Sequence, residues 1–360
     1  MDAGPIIDRE LPRQKGNSIT PFNILLVLII ALVIVGGAFW TFIESNDTVS
    51  DSAPARSAYL PHAPILIVGN AGFTNASGVV WGSGTTSDPY IIEGWDIDTS
   101  SSNGTEIRNA DVNFVVRNCD VNVSGMNLRC IRLLGCRNGI LRNNTCSGGL
   151  LGIDLWESTS NSLVNNNCSQ NPIGIGLDHS SNNHVSRNNC SDNFYGILIP
   201  DSDGNIIDNN TCLRNAYGIQ LAGSGNVLTW NQLLDSNLEG VYIAEGSYNL
   251  ICNNVFIGNN GAGTTFDPGH IQAYDDGTDN RWNGSNGEGN CWSDWTTPDV
   301  APPDGIVDVP YDIAGSAGAK DLFPLTTPQA PIPEFGMMPF MVMVLLAAIL
   351  LASEARRRRK

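Results

Sequence analysis

Basic side chains are scarce in this chain: 19 Lys and Arg stand against 36 Asp and Glu, a formal charge of −17 over 360 residues. So acidic a protein repels phosphate backbones, which argues against nucleic acid as a partner. Cysteine is sparse as well. Nine in 360 residues are too few for a disulfide scaffold, and four of them recur on one fixed spacing. Stretches of helix length are missing from the central region, where the apolar segments are short and alternating.

What is present is a repeat. Gly152-Ile153-Asp154-Leu155 returns every 22 residues as Gly174-Ile175-Gly176-Leu177, Gly196-Ile197-Leu198-Ile199, Gly218-Ile219-Gln220-Leu221 and Gly240-Val241-Tyr242-Ile243. Cys130-Ile131-Arg132-Leu133 lies one period upstream. A period in the 20s with short alternating segments predicts a β-solenoid. Two further apolar columns follow in each repeat. One runs through Leu141, Leu163, Val185, Ile207, Leu228 and Ile251; the other through Cys146, Cys168, Cys190 and Cys212, continued by Leu233 and Phe256. Three strands per coil, separated by Asn, Gly and Ser corners, predict an all-β, parallel β-helix. Parallel crossovers make it right-handed.

The Asn column Asn161, Asn183, Asn205, Asn226 and Asn249 is read as corner chemistry, since Asn tolerates left-handed backbone and stacked amides bond from rung to rung. The cysteine column is read as a stack of buried thiols. Neighbouring rungs hold parallel Cβ vectors ~4.8 Å apart, wider than a disulfide accepts. Cys119, Cys130, Cys136, Cys252 and Cys291 lie off that column, and pairing among them stays open.

Two uncharged apolar runs, residues 22–43 and 335–352, are each long enough to span a bilayer. Arg9, Arg13 and Lys15 precede the first and five basic residues close the second at 353–360, so both tails are expected in the cytoplasm and the middle outside. Cleavage after Gly36-Gly37-Ala38 is the alternative for the first run. Residues 1–21 then form a cytoplasmic leader, and 44–63 and 326–334 form linkers. Residues 64–129 are the N-terminal cap and irregular first coils, 130–261 the regular coils, and 262–325 the last coil and C-terminal cap. Trp292, Trp295, Tyr311 and Phe323 supply aromatic area to seal that end. Nine Asn-X-Ser/Thr sequons, at Asn46, Asn75, Asn103, Asn122, Asn143, Asn167, Asn189, Asn209 and Asn283, suit an exposed, glycosylated surface.

These repeats resemble those of NosD-type β-helix proteins within the carbohydrate-binding and sugar-hydrolase β-helix superfamily. The opening Gly82-Ser83-Gly84-Thr85 through Asp88-Pro89-Tyr90-Ile91-Ile92-Glu93-Gly94-Trp95 and the closing Gly289-Asn290-Cys291-Trp292-Ser293-Asp294-Trp295 with Asp304-Gly305-Ile306-Val307-Asp308 resemble archaeal cell-surface members. Pro333-Glu334-Phe335 before an apolar run and basic tail is similar to a sortase-type sorting signal. The resemblance carries an association with copper-site maturation, for which the chain offers only His62, His179, His184 and His270 and few Met outside the C-terminal run.

One column could do chemistry. Glu157, His179 and Asp201 fall on consecutive coils, with Asp178 beside them. The outer two are two rungs apart, roughly 9.6 Å at the backbone, near the wide carboxyl separation of inverting glycosidases. Ordinary solvated corners explain the same residues, and no basic residue is expected nearby to neutralise an acidic sugar. Asp299, Asp304 and Asp308 around a Gly turn suit a hard cation such as Ca2+, against the simpler reading of an acidic loop. The leading functional expectation is a non-catalytic surface protein binding glycans or envelope components. A polysaccharide hydrolase or lyase and a purely structural envelope role are the alternatives.

Overall fold

The computed structural model describes residues 59–285, 287–300 and 303–328. Both apolar runs and the basic tail lie outside the described residues. Among the described residues no helix is long and apolar enough to cross a membrane.

The chain winds into a parallel β-solenoid with three faces. The first face is a nine-stranded sheet running from Ile65–Val68 through Leu151–Trp156 and Tyr195–Pro200 to Ala273–Asp275. The second also has nine strands, from Val79–Trp81 to Leu250–Cys252. Two four-stranded sheets make the third, joined across Thr145, Asn167, Asn189 and Thr211 by single parallel bridges. Antiparallel pairing occurs near the ends, between Val79–Trp81 and Tyr90–Glu93 and between Tyr311–Asp312 and Lys320–Asp321. Registers match the repeat read from the sequence: Ile153 lies beside Ile175, and Leu163 beside Val185.

Each coil turns its three apolar columns inward. Ile153, Leu163 and Cys168 are fully buried, as are their counterparts on the next coils. The corners are held by amide ladders. Asn161 donates its backbone N–H and its Nδ2 to Oδ1 of Asn183, at 2.9 and 3.2 Å, and the pattern continues to Asn205, Asn226 and Asn249. A second ladder runs Asn144, Asn166, Asn188, Asn210, Asn231, Asn254, Asn290, and a shorter third runs Asn171, Asn193, Asn215. These buried amides satisfy backbone groups that the turns take out of the sheets. The repeated Gly has a steric cause. A Cβ on Gly196 would stand 2.5 Å from the Gly218 carbonyl oxygen and 2.9 Å from Asn215 Nδ2.

All nine cysteines are free, eight of them buried, so none of the off-column set pairs. Burial pushes the Cys119, Cys212 and Cys252 thiols up to about 12. Such thiols are packing groups rather than nucleophiles. The late end of the core is sealed by Phe256, Trp292 and Tyr311 in a continuous stack, with centroids 4.1 and 4.0 Å apart. Trp282 joins them, whereas Phe323 is 38% exposed and does not contribute to the seal.

Candidate functional site

Glu157, His179 and Asp201 occupy one corner column, immediately after the first-face strands. All three are exposed and all three adopt left-handed backbone, with φ of 49°, 49° and 46°. The Glu157 N–H donates to the Asp178 carbonyl at 3.0 Å, which fixes consecutive rungs in register. His179 Nδ1 sits 2.6 Å from Asp178 Oδ1, and its ring lies 5.9 Å from that of Trp156. The structure therefore brings Asp178 and His179 together and places Glu157 and Asp201 on the flanking rungs.

Basic residues gather on the early rungs of the first face, around other carboxylates than those of this column. Arg129 Nε and Arg132 Nε each lie 3.1 Å from Asp154 Oδ2, and Arg132 and Arg108 also face Glu106. Asp154 is buried, which pushes its carboxyl up against the pull of Arg132 and Arg129, and it also feels Asp178. Burial raises the Glu106 carboxyl, but hydrogen bonds from Arg108 and Asn103 outweigh it and hold the group below its usual range. Sequence reading missed this network because, apart from Arg108 and Glu106 on one strand, its paired members are 22–26 residues apart and meet through the coil register. Both guanidinium groups that face Asp154 have a second partner as well, Glu106 for Arg132 and the Asn127 carbonyl for Arg129.

Two outward columns cross the first face. One carries Arg129, Leu151, Ile173, Tyr195 and Tyr217 in register. Glu239 takes the next place, its carbonyl accepting from the Gly218 N–H at 3.1 Å. The other carries Glu106, Arg132, Asp154, Gly176, Leu198, Gln220, Tyr242 and Tyr274. The face is thus charged over its early rungs and aromatic over its late ones. Tyr195 stacks on Tyr217 at 5.4 Å, Tyr217 meets Tyr242 edge-on at 5.5 Å, and Tyr242 stacks on Tyr274 at 4.8 Å. All four rings are half-exposed. The pairs Tyr195/Tyr217 and Tyr242/Tyr274 fall on different repeat columns, so periodicity alone does not unite them.

In the closing loop each predicted cation ligand caps a backbone N–H. Asp299 Oδ2 accepts from Gly305 at 2.8 Å, Asp308 Oδ2 from Val300 at 2.9 Å, and Asp304 Oδ1 from Ile306 at 3.0 Å. Asp299 Oδ1 is buried with no hydrogen-bond partner. Shallow clefts of about 540 and 330 Å³ share Arg281 and Ser285 and lie toward the second face.

Coils closed by amide ladders and chemistry displayed on outer sheet faces define a parallel β-solenoid. Residues 82–297 match the family model described as "Periplasmic copper-binding protein (NosD)", and the chain belongs to that family. No curated protein matches the chain. Among solved structures, a mutant of the periplasmic alginate epimerase AlgG is similar at 16% identity and a TM-score of 0.37. The match covers 59% of this chain and 49% of that one, so the chain spans about half the length of that neighbour.

Copper, named by the family description, needs convergent His, Cys or Met ligands. Here His62 packs on Trp95, while His179, His184 and His270 each contact a separate Asp. Among the described residues no three His, Cys, Asp or Glu groups converge to hold a metal. Met126, the one Met among the described residues, is 93% exposed. The described residues do not fit a copper centre.

Proposed function

We propose that this protein is a membrane-anchored, extracytoplasmic β-solenoid that binds glycans of the cell envelope on its first face without cleaving them. The observation that carries the reading is the Tyr195, Tyr217, Tyr242, Tyr274 strip, whose ring centroids are spaced 4.8–5.5 Å along the coil axis. Half-exposed, mutually stacked rings bordered by polar Gln220 and Glu239 offer a ribbed strip of ring edges and hydroxyls to sugars, with acceptors for their hydroxyls. The family description as periplasmic supports a location beyond the cytoplasmic membrane, and the charge flanks of residues 22–43 and 335–352 support two anchored ends with cytoplasmic tails. Processing near Phe335 belongs to the same reading; an intact Lys360 in the mature protein would exclude it.

Hydrolase or lyase chemistry at Glu157, Asp178, His179 and Asp201 is the second reading, favoured by the 2.6 Å contact that orients His179 against Asp178. A glycan array probed with the purified protein, followed by a search for shortened products, separates the two. Binding without products supports the first reading. Products that vanish in Asp201→Asn establish the second, and no binding at all leaves a structural envelope role.

A further inference from the structure

The late rungs of the first face hold a carboxylate with nothing to neutralise it. Glu239 continues the column of Tyr195 and Tyr217, is half-buried, and takes its own backbone N–H but makes no ion pair among the described residues. Its charge reaches Tyr217 and Tyr274, the rings on either side of it. Asp276 stands beyond, taking the Tyr274 hydroxyl at 2.8 Å. The nearest arginine along the chain, Arg214, is closed on Asp192 by two bonds of 2.7 and 2.8 Å. A half-buried acid with no cationic partner favours an arriving cation, since an opposite charge offsets the cost of its burial. The acidic chain adds its long-range field.

We infer that the glycan bound by the Tyr195–Tyr274 strip carries free amino groups, and that Glu239 receives a hexosamine ammonium while the tyrosine edges and hydroxyls line its sugar rings. This rests on the glycan-binding reading of the same face. Burial of Glu239, which pushes its carboxyl up in the unliganded protein, is offset when an ammonium arrives. Neutral sugars gain the tyrosine contacts but not the ion pair. Anionic sugars meet Glu239 and Asp276 as like charges.

Titration calorimetry on the full-length protein tests this with a fully deacetylated glucosamine hexamer and its N-acetylated counterpart, at a pH that keeps the amines protonated. The deacetylated hexamer should bind more tightly and lose affinity with added salt. Glu239→Gln should weaken it about tenfold, as expected for loss of one charge-assisted bond, and weaken the N-acetylated hexamer distinctly less. Tyr217→Ala should weaken both. Equal affinity for the two hexamers, or an equal effect of Glu239→Gln on both, overturns the inference. If both bind equally and Tyr217→Ala still weakens them, the glycan-binding face survives without the amine preference. If Tyr217→Ala and Tyr242→Ala leave all binding intact, both readings fall.

Discussion

Replacing Asn188 by Ala should be among the costliest single changes in the molecule, and replacing its neighbour Asn189 should be nearly silent. Asn188 is 1% exposed. Its Oδ1 accepts the backbone N–H of Asn166 at 2.9 Å and Asn166 Nδ2 at 2.9 Å. Its Nδ2 donates to the Leu163 carbonyl at 2.9 Å and to Asn210 Oδ1 at 3.0 Å. Truncation removes four bonds and strands a buried backbone donor and acceptor, a loss of roughly 3–5 kcal/mol. Asn188→Asp keeps the shape but turns an oxygen toward the Leu163 carbonyl and Asn210 Oδ1. Its carboxyl must then titrate above the ordinary range. Stability is greatest below that range and falls as pH rises through the shifted value. Asn189 is exposed and donates to Asn167 Oδ1 at 3.2 Å, so Asn189→Ala should change stability by no more than ~0.5 kcal/mol. Denaturant unfolding gives the totals, and amide hydrogen exchange should show protection lost at Asn166 and Asn210 before distant rungs. Equal effects at positions 188 and 189, or a cost below ~1 kcal/mol at 188, would refute the ladder as the source of corner stability.

Gly196→Ala should destabilise by about 1–3 kcal/mol through collision with the next rung, read as a drop in Tm; an unchanged Tm would mean that the coils yield at that step. Burial pushes the Asp321 carboxyl up to about 6 despite bonds from Trp292, Asn290 and Phe323. Because the folded state holds that proton more tightly, the C-terminal cap should be most stable at low pH and lose up to about 3 kcal/mol as pH rises from about 4 to 6. Asp321→Asn should flatten this slope in a pH-dependent melting series, and an unaltered slope would assign it elsewhere. A cation shared by Asp299, Asp304 and Asp308 requires a calcium-dependent rise in Tm that Asp304→Asn removes. Melting curves indifferent to calcium and chelator would leave the carboxylates as backbone caps alone. Alkylation should reach Cys146, Cys168, Cys190 and Cys212 only after unfolding, since all four are buried; labelling of the native protein would contradict the packing of that column.

The fold was legible because a coil repeats its inward positions at a nearly constant interval, so Ile153 announces Ile175 and Leu163 announces Val185. Corner chemistry was half legible. Asn161 stood out as a column, whereas Asn166 was masked by Asn165 and Asn167, exposed neighbours of the same residue type. The candidate acids Glu157 and Asp201 were visible as a column because they share one corner. The Asp154 network with Arg129 and Arg132 was not, since Glu106, Arg132 and Asp154 share one repeat position without sharing a residue type, and Arg129 joins them from the neighbouring outward column. The tyrosine strip was hidden for a related reason: it steps diagonally from one outward column to the next at Tyr217 and Tyr242. Glu239 gave no signal because it holds the next place in the tyrosine column without carrying a ring.

The amide ladders also make the molecule divisible. A link between successive rungs spans 22 residues at Asn183–Asn205, 21 at Asn205–Asn226 and 23 at Asn226–Asn249, yet the same bond is made each time. Each coil therefore sees an almost identical neighbour above and below, and only the ends need special sequence. Excising one whole repeat would join like to like and shorten the rod by a single strand spacing, about 4.8 Å. Duplicating one would lengthen it by the same step. Natural variation in such a chain is free to proceed in whole coils, with reach adjusted as on a ruler while both closures stay as they are.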